Sequence, residues 1–191
     1  VSPRPAPDLD RRRYRITRTA RDLVESEGWS AVTMRRLASE LGVTQPVLYS
    51  AFPAGREALL DAVAVSGFEA IAEALEAVEP EALARMHAYL DFAAERTHLY
   101  EAMFSLPSGL QFGTGGGPEP LQRAFAALRN AFPGPDSVRT EVAWATLHGL
   151  ATLRIHGRLP ASSASARLHL AHRMLTQLPE NDSRGGGIDD G

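Results

Sequence analysis

The chain has 191 residues, with 20 arginines, no lysine and 23 acids for a net charge of -3, and it lacks cysteine. Disulfides, thiolate metal sites and a cysteine nucleophile are therefore excluded, and no apolar run approaches the roughly eighteen residues that span a bilayer. The first thirty residues carry arginines with no apolar h-region after them, so a soluble, cytoplasmic protein built as a small module attached to a larger one is expected.

Residues 1–8, VSPRPAPD, are proline-rich and read as a flexible arm. A first helix follows, with Ile16, Ala20, Leu23 and Val24 as its buried stripe and Gly28 followed by Trp29 closing it. Arg11, Arg12, Arg13, Arg15 and Arg18 crowd its start; such a cluster either releases counterions from phosphate or forms a solvated face. Charge is uneven along the chain: residues 1–60 hold ten arginines against seven acids, for +3, and residues 61–191 carry -6.

Residues 33–52, TMRRLASELGVTQPVLYSAF, read as two short helices joined by a four-residue turn. Met34, Leu37, Ala38 and Leu41 fall at i, i+3, i+4 and i+7, one buried helical face. Thr33 can cap that helix, Gly42 ends it through a positive φ, and Val43 plugs the corner. Thr44 can cap the second helix, with Pro46 in its first turn, where a missing N–H costs nothing. Val47, Leu48 and Phe52 are expected to turn inward, leaving Gln45, Tyr49 and Ser50 outward. This is the shape of a helix-turn-helix, whose second helix lies in the DNA major groove.

Further on, a long helix over about 56–78 carries Leu59, Leu60, Val63, Phe68, Ile71 and Leu75. Pro80 is expected in the first turn of the next, which continues through Leu83, Met86, Tyr89 and Leu90. HLYEAMFSL reads as a shorter helix, and residues 107–120 as a glycine-rich loop or link. A helix with Leu121, Phe125 and Leu128 stops near Phe132; two last helices, about 136–158 and 162–178, are split by Pro160. Residues 179–191 read as a disordered tail. No strand pattern appears, so the expectation is an all-α fold of about nine helices: a three-helix DNA-binding domain over 9–53 and a helical bundle over 54–178.

From about Tyr14 onward, ITRTARDLVESEGWSAVTMRRLASELGVTQPVLYSAFPAGREALLDAV, with its glycine-aromatic corner and F-P-x-x-x-E-x-L-L exit, resembles the TetR family of transcriptional regulators. AWATLHGLATLRIHGRLP, with Trp144, His148 and Gly149 as W-x-x-x-H-G, resembles a C-terminal domain of one TetR subgroup. The resemblance implies a homodimeric regulator, a repressor, that binds a palindromic double-stranded DNA operator and is released by a small effector; no cofactor or metal is implied. It also implies that the last two helices pack into a four-helix dimer interface, which Leu147, Leu150, Leu153, Leu168, Leu170, Met174, Leu175 and Leu178 can supply.

Within the reader, Gln45 is the natural base contact, since its amide can pair bidentately with adenine. Pro46 can touch a thymine methyl, and Thr33, Thr44, Tyr49 and Ser50 suit phosphate. Arg35 and Arg36 put positive charge where the helix macrodipole is already positive, which favours phosphate over local stability. Arg36 can instead pair with Glu40 at i+4. Arg56 stands near the position of the lysine usual in the family. For the effector, Met86, Tyr89, Phe92, Met103, Phe104, Phe125, Trp144 and His148 are the candidate lining, weighed against ordinary core, and their apolar bias suggests a hydrophobic ligand. His169 and His172 lack a third metal ligand at useful spacing. A helical enzyme, or an interaction module without DNA affinity, is the competing reading; GTGGG has neither the strand nor the lysine of a phosphate loop.

Overall fold

The computed structural model describes residues 6–104, 117–134 and 136–177, and these are helical, with no strand among them. The helices are α1 (Ala6–Glu27), α2 (Met34–Leu41), α3 (Gln45–Ala51), α4 (Arg56–Glu76), α5 (Ala82–Glu95), α6 (Thr97–Phe104), α7 (Glu119–Ala131), α8 (Val138–Ile155) and α9 (Ala164–Thr176). None of them is long and apolar enough to cross a membrane.

The local chemistry of the reader follows the residues closely. The Thr33 hydroxyl accepts the Arg36 N–H at 3.1 Å and caps α2. Gly42 takes φ 64°, and the turn it allows lets the Val43 N–H reach the Ala38 carbonyl at 2.9 Å. Pro46 lies in the first turn of α3, and Leu48 and Ala51 face the core while Val47 is only half-buried. Thr44 precedes α3 but makes no capping bond through its hydroxyl.

Several boundaries differ from expectation, among them the start of α7 at Glu119, inside the segment read as a glycine-rich loop. α1 reaches back to Ala6, into the segment read as an arm; Pro7 and Asp8 suit a first helical turn, one lacking an N–H that would be unpaired and the other complementing the dipole. A short 3-10 turn over Trp29–Ala31 follows Gly28, whose φ is 81°. Pro80 lies ahead of α5, which begins at Ala82 after Glu81.

α4 is the spine. It packs most extensively on α7 and also meets α1, α5 and α6. Its buried Leu59, Leu60 and Val63 close the reader's core under Ile16 and Leu48, and Phe68, Ile71 and Leu75 enter the body. Gly67 permits the close approach of α6: a Cβ there would stand 2.6 Å from the Met103 thioether sulfur.

Candidate nucleic-acid interface and apolar chamber

On the reader, Thr33, Arg35, Thr44, Gln45, Pro46, Tyr49 and Ser50 are all exposed. Arg35 has no hydrogen-bond or ion-pair partner among the described residues. Tyr49 is 45% exposed, and its ring rests on Gly55, where a Cβ would come within 3.1 Å of the ring. Gly55 has φ 63°, so both its backbone and the ring above it favour glycine. The Ser50 hydroxyl donates to the Val47 carbonyl at 2.8 Å and can accept from Arg12 at 3.4 Å.

Two residues expected at DNA are engaged elsewhere. Arg36 is gripped by both carboxylate oxygens of Glu27, at 2.8 and 2.5 Å, with Glu40 at 3.8 Å. The hydrogen bonds from Arg36 hold the Glu27 carboxyl below its usual range, and Glu27 in turn raises Arg36. Arg56 donates to the Val32 and Trp29 carbonyls, both at 2.8 Å, and its guanidinium carbon lies 4.5 Å from the centre of the Trp29 ring. It ties the start of α4 to the glycine-aromatic corner while its side chain stays exposed.

The arginine cluster of α1 divides in the same way. Arg13 donates to the Ala51 carbonyl at 2.9 Å and Arg15 to the Leu41 carbonyl at 3.4 Å, so they meet the C-terminal ends of α3 and α2, where the helix dipole is negative. Arg12 links Asp8 to Ser50. Arg11 and Arg18 are exposed without such partners among the described residues.

In the body, a cavity of about 350 Å³ opens between α4, α7 and α8. Of the expected lining, Tyr89, Phe104, Phe125 and Trp144 form its wall. Met86, Phe92 and Met103 do not; each is at most 5% exposed and serves as ordinary core. His148 stands one layer behind the wall. The lining missed from the sequence is the α4 stripe Phe68, Ile71 and Leu75, whose spacing suits core and cavity wall equally, together with Leu121, Leu128 and Arg129 of α7.

A relay of polar groups backs this wall. The Trp144 indole N–H donates to the Tyr89 hydroxyl at 3.2 Å, Tyr89 and Tyr100 meet hydroxyl to hydroxyl at 2.9 Å, and Tyr100 reaches His148 Nδ1 at 2.8 Å. Burial pushes the Tyr89 hydroxyl up to about 12 and raises Tyr100 as well, the latter also through Tyr89, so both remain protonated. Burial lowers His148.

The residues expected at an interface divide on α8 and α9 by burial. Leu147, Leu168 and Leu175 are at most 5% exposed and hold these helices to the protomer. Leu150 is half-buried, and Leu178 lies outside the described residues. Val138, Val142 and Leu153 of α8, and Leu170 and Met174 of α9, are the exposed large apolar side chains of these two helices. No group of three or more acids or histidines among the described residues is arranged for a metal.

Residues 16–63 match the family described as bacterial regulatory proteins, tetR family, and residues 81–178 match the tetracyclin repressor-like C-terminal domain. Among solved structures, the chain is similar to SCO4313, assigned as a regulatory protein, at TM-score 0.69 and 19% identity over 93% of this chain and 100% of that one. A Rhodococcus sp. RHA1 protein of unknown function aligns at TM-score 0.62 and 27% identity, over 86% and 92% of the two chains. A tetR-family transcriptional regulator from Streptomyces coelicolor aligns at 0.59 and 19%, over 87% and 78%. No match to a curated protein was found.

Proposed function

Since the chain belongs to the TetR family of transcriptional regulators and is not an enzyme, we propose that it is a homodimeric repressor whose α3 reads a palindromic operator and whose body accepts a small apolar effector. The observation that carries the DNA reading is the exposed surface of Arg35, Gln45 and Tyr49, which the fold holds out with the Arg35 charge unspent. In this reading Gln45 contacts a base edge, Tyr49, Thr33, Thr44 and Ser50 contact phosphate with Pro46 against a methyl, and Arg35 supplies counterion release.

The exposed apolar surface on α8 and α9 serves as the dimer interface, and the cavity between α4, α7 and α8 as the effector chamber. An effector can release DNA only by binding better to a spacing of the two readers that no longer fits half-sites roughly 34–36 Å apart. Such a protein works beside the chromosome, in the cytoplasm. Footprinting the purified protein on the DNA flanking its own coding region tests this. A protected, two-fold symmetric site lost on Gln45→Ala is expected; uniform, sequence-indifferent protection or none would favour an interaction module instead.

A further inference from the structure

The chamber's polar groups are unevenly spent. Deep in the wall, the Trp144 N–H and the Tyr89 hydroxyl are consumed by one another and by Tyr100. A ligand entering there meets aromatic and aliphatic carbon: Phe104 and Trp144 lie 6.2 Å apart, tilted, and Phe125 meets Trp144 edge-on at 6.3 Å. Among the more exposed lining residues, two of the three polar ones are partly engaged. Gln122 donates its amide to the Gly117 carbonyl at 2.6 Å, and the Ser137 hydroxyl donates to Glu141 at 2.5 Å.

Arg129 is the exception. It lines the cavity from the exposed flank of α7, on the stripe Gln122, Ala126, Arg129, and has no ion pair or hydrogen bond among the described residues. The acids nearby are engaged: Arg123 holds Glu76 and approaches Glu119, Asp136 accepts from the Val138 N–H, and Glu141 accepts from the Ser137 hydroxyl. A place in the last turn of α7 accounts for a favourable charge but not for its position on the chamber lining.

Resting on the reading of this cavity as the effector chamber, we infer that the effector is a compact aryl carboxylic acid, its ring against Phe104, Phe125 and Trp144 and its carboxylate on Arg129. A cavity of about 350 Å³ lies at the small end of ligand pockets, which suits one or two fused rings. The planar guanidinium matches a carboxylate in two-pronged fashion, and the aromatic wall suits an apolar ring.

Calorimetric titration of the full chain with 1-naphthylacetic acid and with 1-naphthylacetamide tests this, because the pair differs in charge and not in ring. The acid is expected to bind about ten-fold or more tightly than the amide. Arg129→Gln, at an exposed and unpaired position, is expected to erase that preference, bringing acid and amide to similar affinity. Equal binding of acid and amide, or a preference that survives Arg129→Gln, overturns the acid assignment and leaves the chamber standing. If neither compound binds, the chamber reading fails and the inference falls with it.

Discussion

The Tyr100 hydroxyl lies 2.8 Å from Nδ1 of His148, and the rest of the relay decides which of the two donates. An indole N–H can only donate, so the Tyr89 oxygen accepts from Trp144 and its proton goes to Tyr100, whose own proton goes to Nδ1. The histidine is thereby neutral, with its proton on Nε2. Protonating Nδ1 would set two donors against each other, or reverse the relay and orphan the buried Tyr89 proton.

Burial lowers His148 below its ordinary 6.5, so the unfolded chain takes up the proton first as pH falls. The stability contributed by neutral His148 is therefore fully present above about pH 6.5 and is lost progressively below it. Melting temperatures between pH 7.5 and 5 are expected to fall more steeply for the wild type than for His148→Gln, which keeps an acceptor for Tyr100 but cannot titrate. Parallel curves would show that the relay tolerates the charge.

Glu27→Gln is expected to weaken the grip on Arg36 and make its charge available to phosphate. In the proposed DNA complex, the log–log salt dependence of affinity should steepen by about one unit, while Arg35→Ala should flatten it by a similar amount. Electrophoretic mobility or anisotropy titrations across salt concentrations report both slopes. An unchanged slope for Glu27→Gln would mean that Arg36 remains out of reach of the backbone.

Arg56→Lys keeps the charge but cannot span the Val32 and Trp29 carbonyls with a planar fork while lying over the indole. A loss of about 1–3 kcal/mol is expected, the scale of hydrogen bonds made by charged groups. Denaturant unfolding followed by tryptophan fluorescence reads it directly, because Trp29 is one of two tryptophans. Stability equal to the wild type would reduce the Arg56 contacts to passive neighbours.

Leu153→Glu combined with Met174→Glu places acids on the exposed apolar surface of α8 and α9 and is expected to yield a folded monomer by sedimentation. Leu175→Ala, at a residue 4% exposed, should instead cost about 2–5 kcal/mol of protomer stability. If the double acid variant stays dimeric, the pairing surface lies elsewhere.

The helices were legible because each carries its own apolar stripe, from Ile16 and Ala20 to the paired faces of α8 and α9. The outward set of α3 was legible too, since periodicity alone separates Gln45 and Tyr49 from Leu48. The fates of Arg36 and Arg56 were not, because their partners arrive across the corner at Gly28, from Glu27, Trp29 and Val32. The chamber was half-legible for a related reason. A residue's apolarity says that it leaves water, but only the packing of α7 and α8 decides that Phe104 and Phe125 border a space while Met86 and Met103 fill one. Leu147 and Leu153 pose the same problem on α8, similar in composition and opposite in direction.

The far end of α1 also carries contacts, toward the start of α6. Glu25 takes Arg96 at 2.9 Å through its carboxylate, and its carbonyl lies 3.3 Å from His98 Nδ1, just before and just inside the helix that carries Tyr100 and Phe104. Arg13 and Arg15, near the middle of α1, bond to the last residues of α3 and α2. The α6 segment that carries Tyr100 and Phe104 is thus joined through Glu25 to the same helix that Arg13 and Arg15 join to the reader.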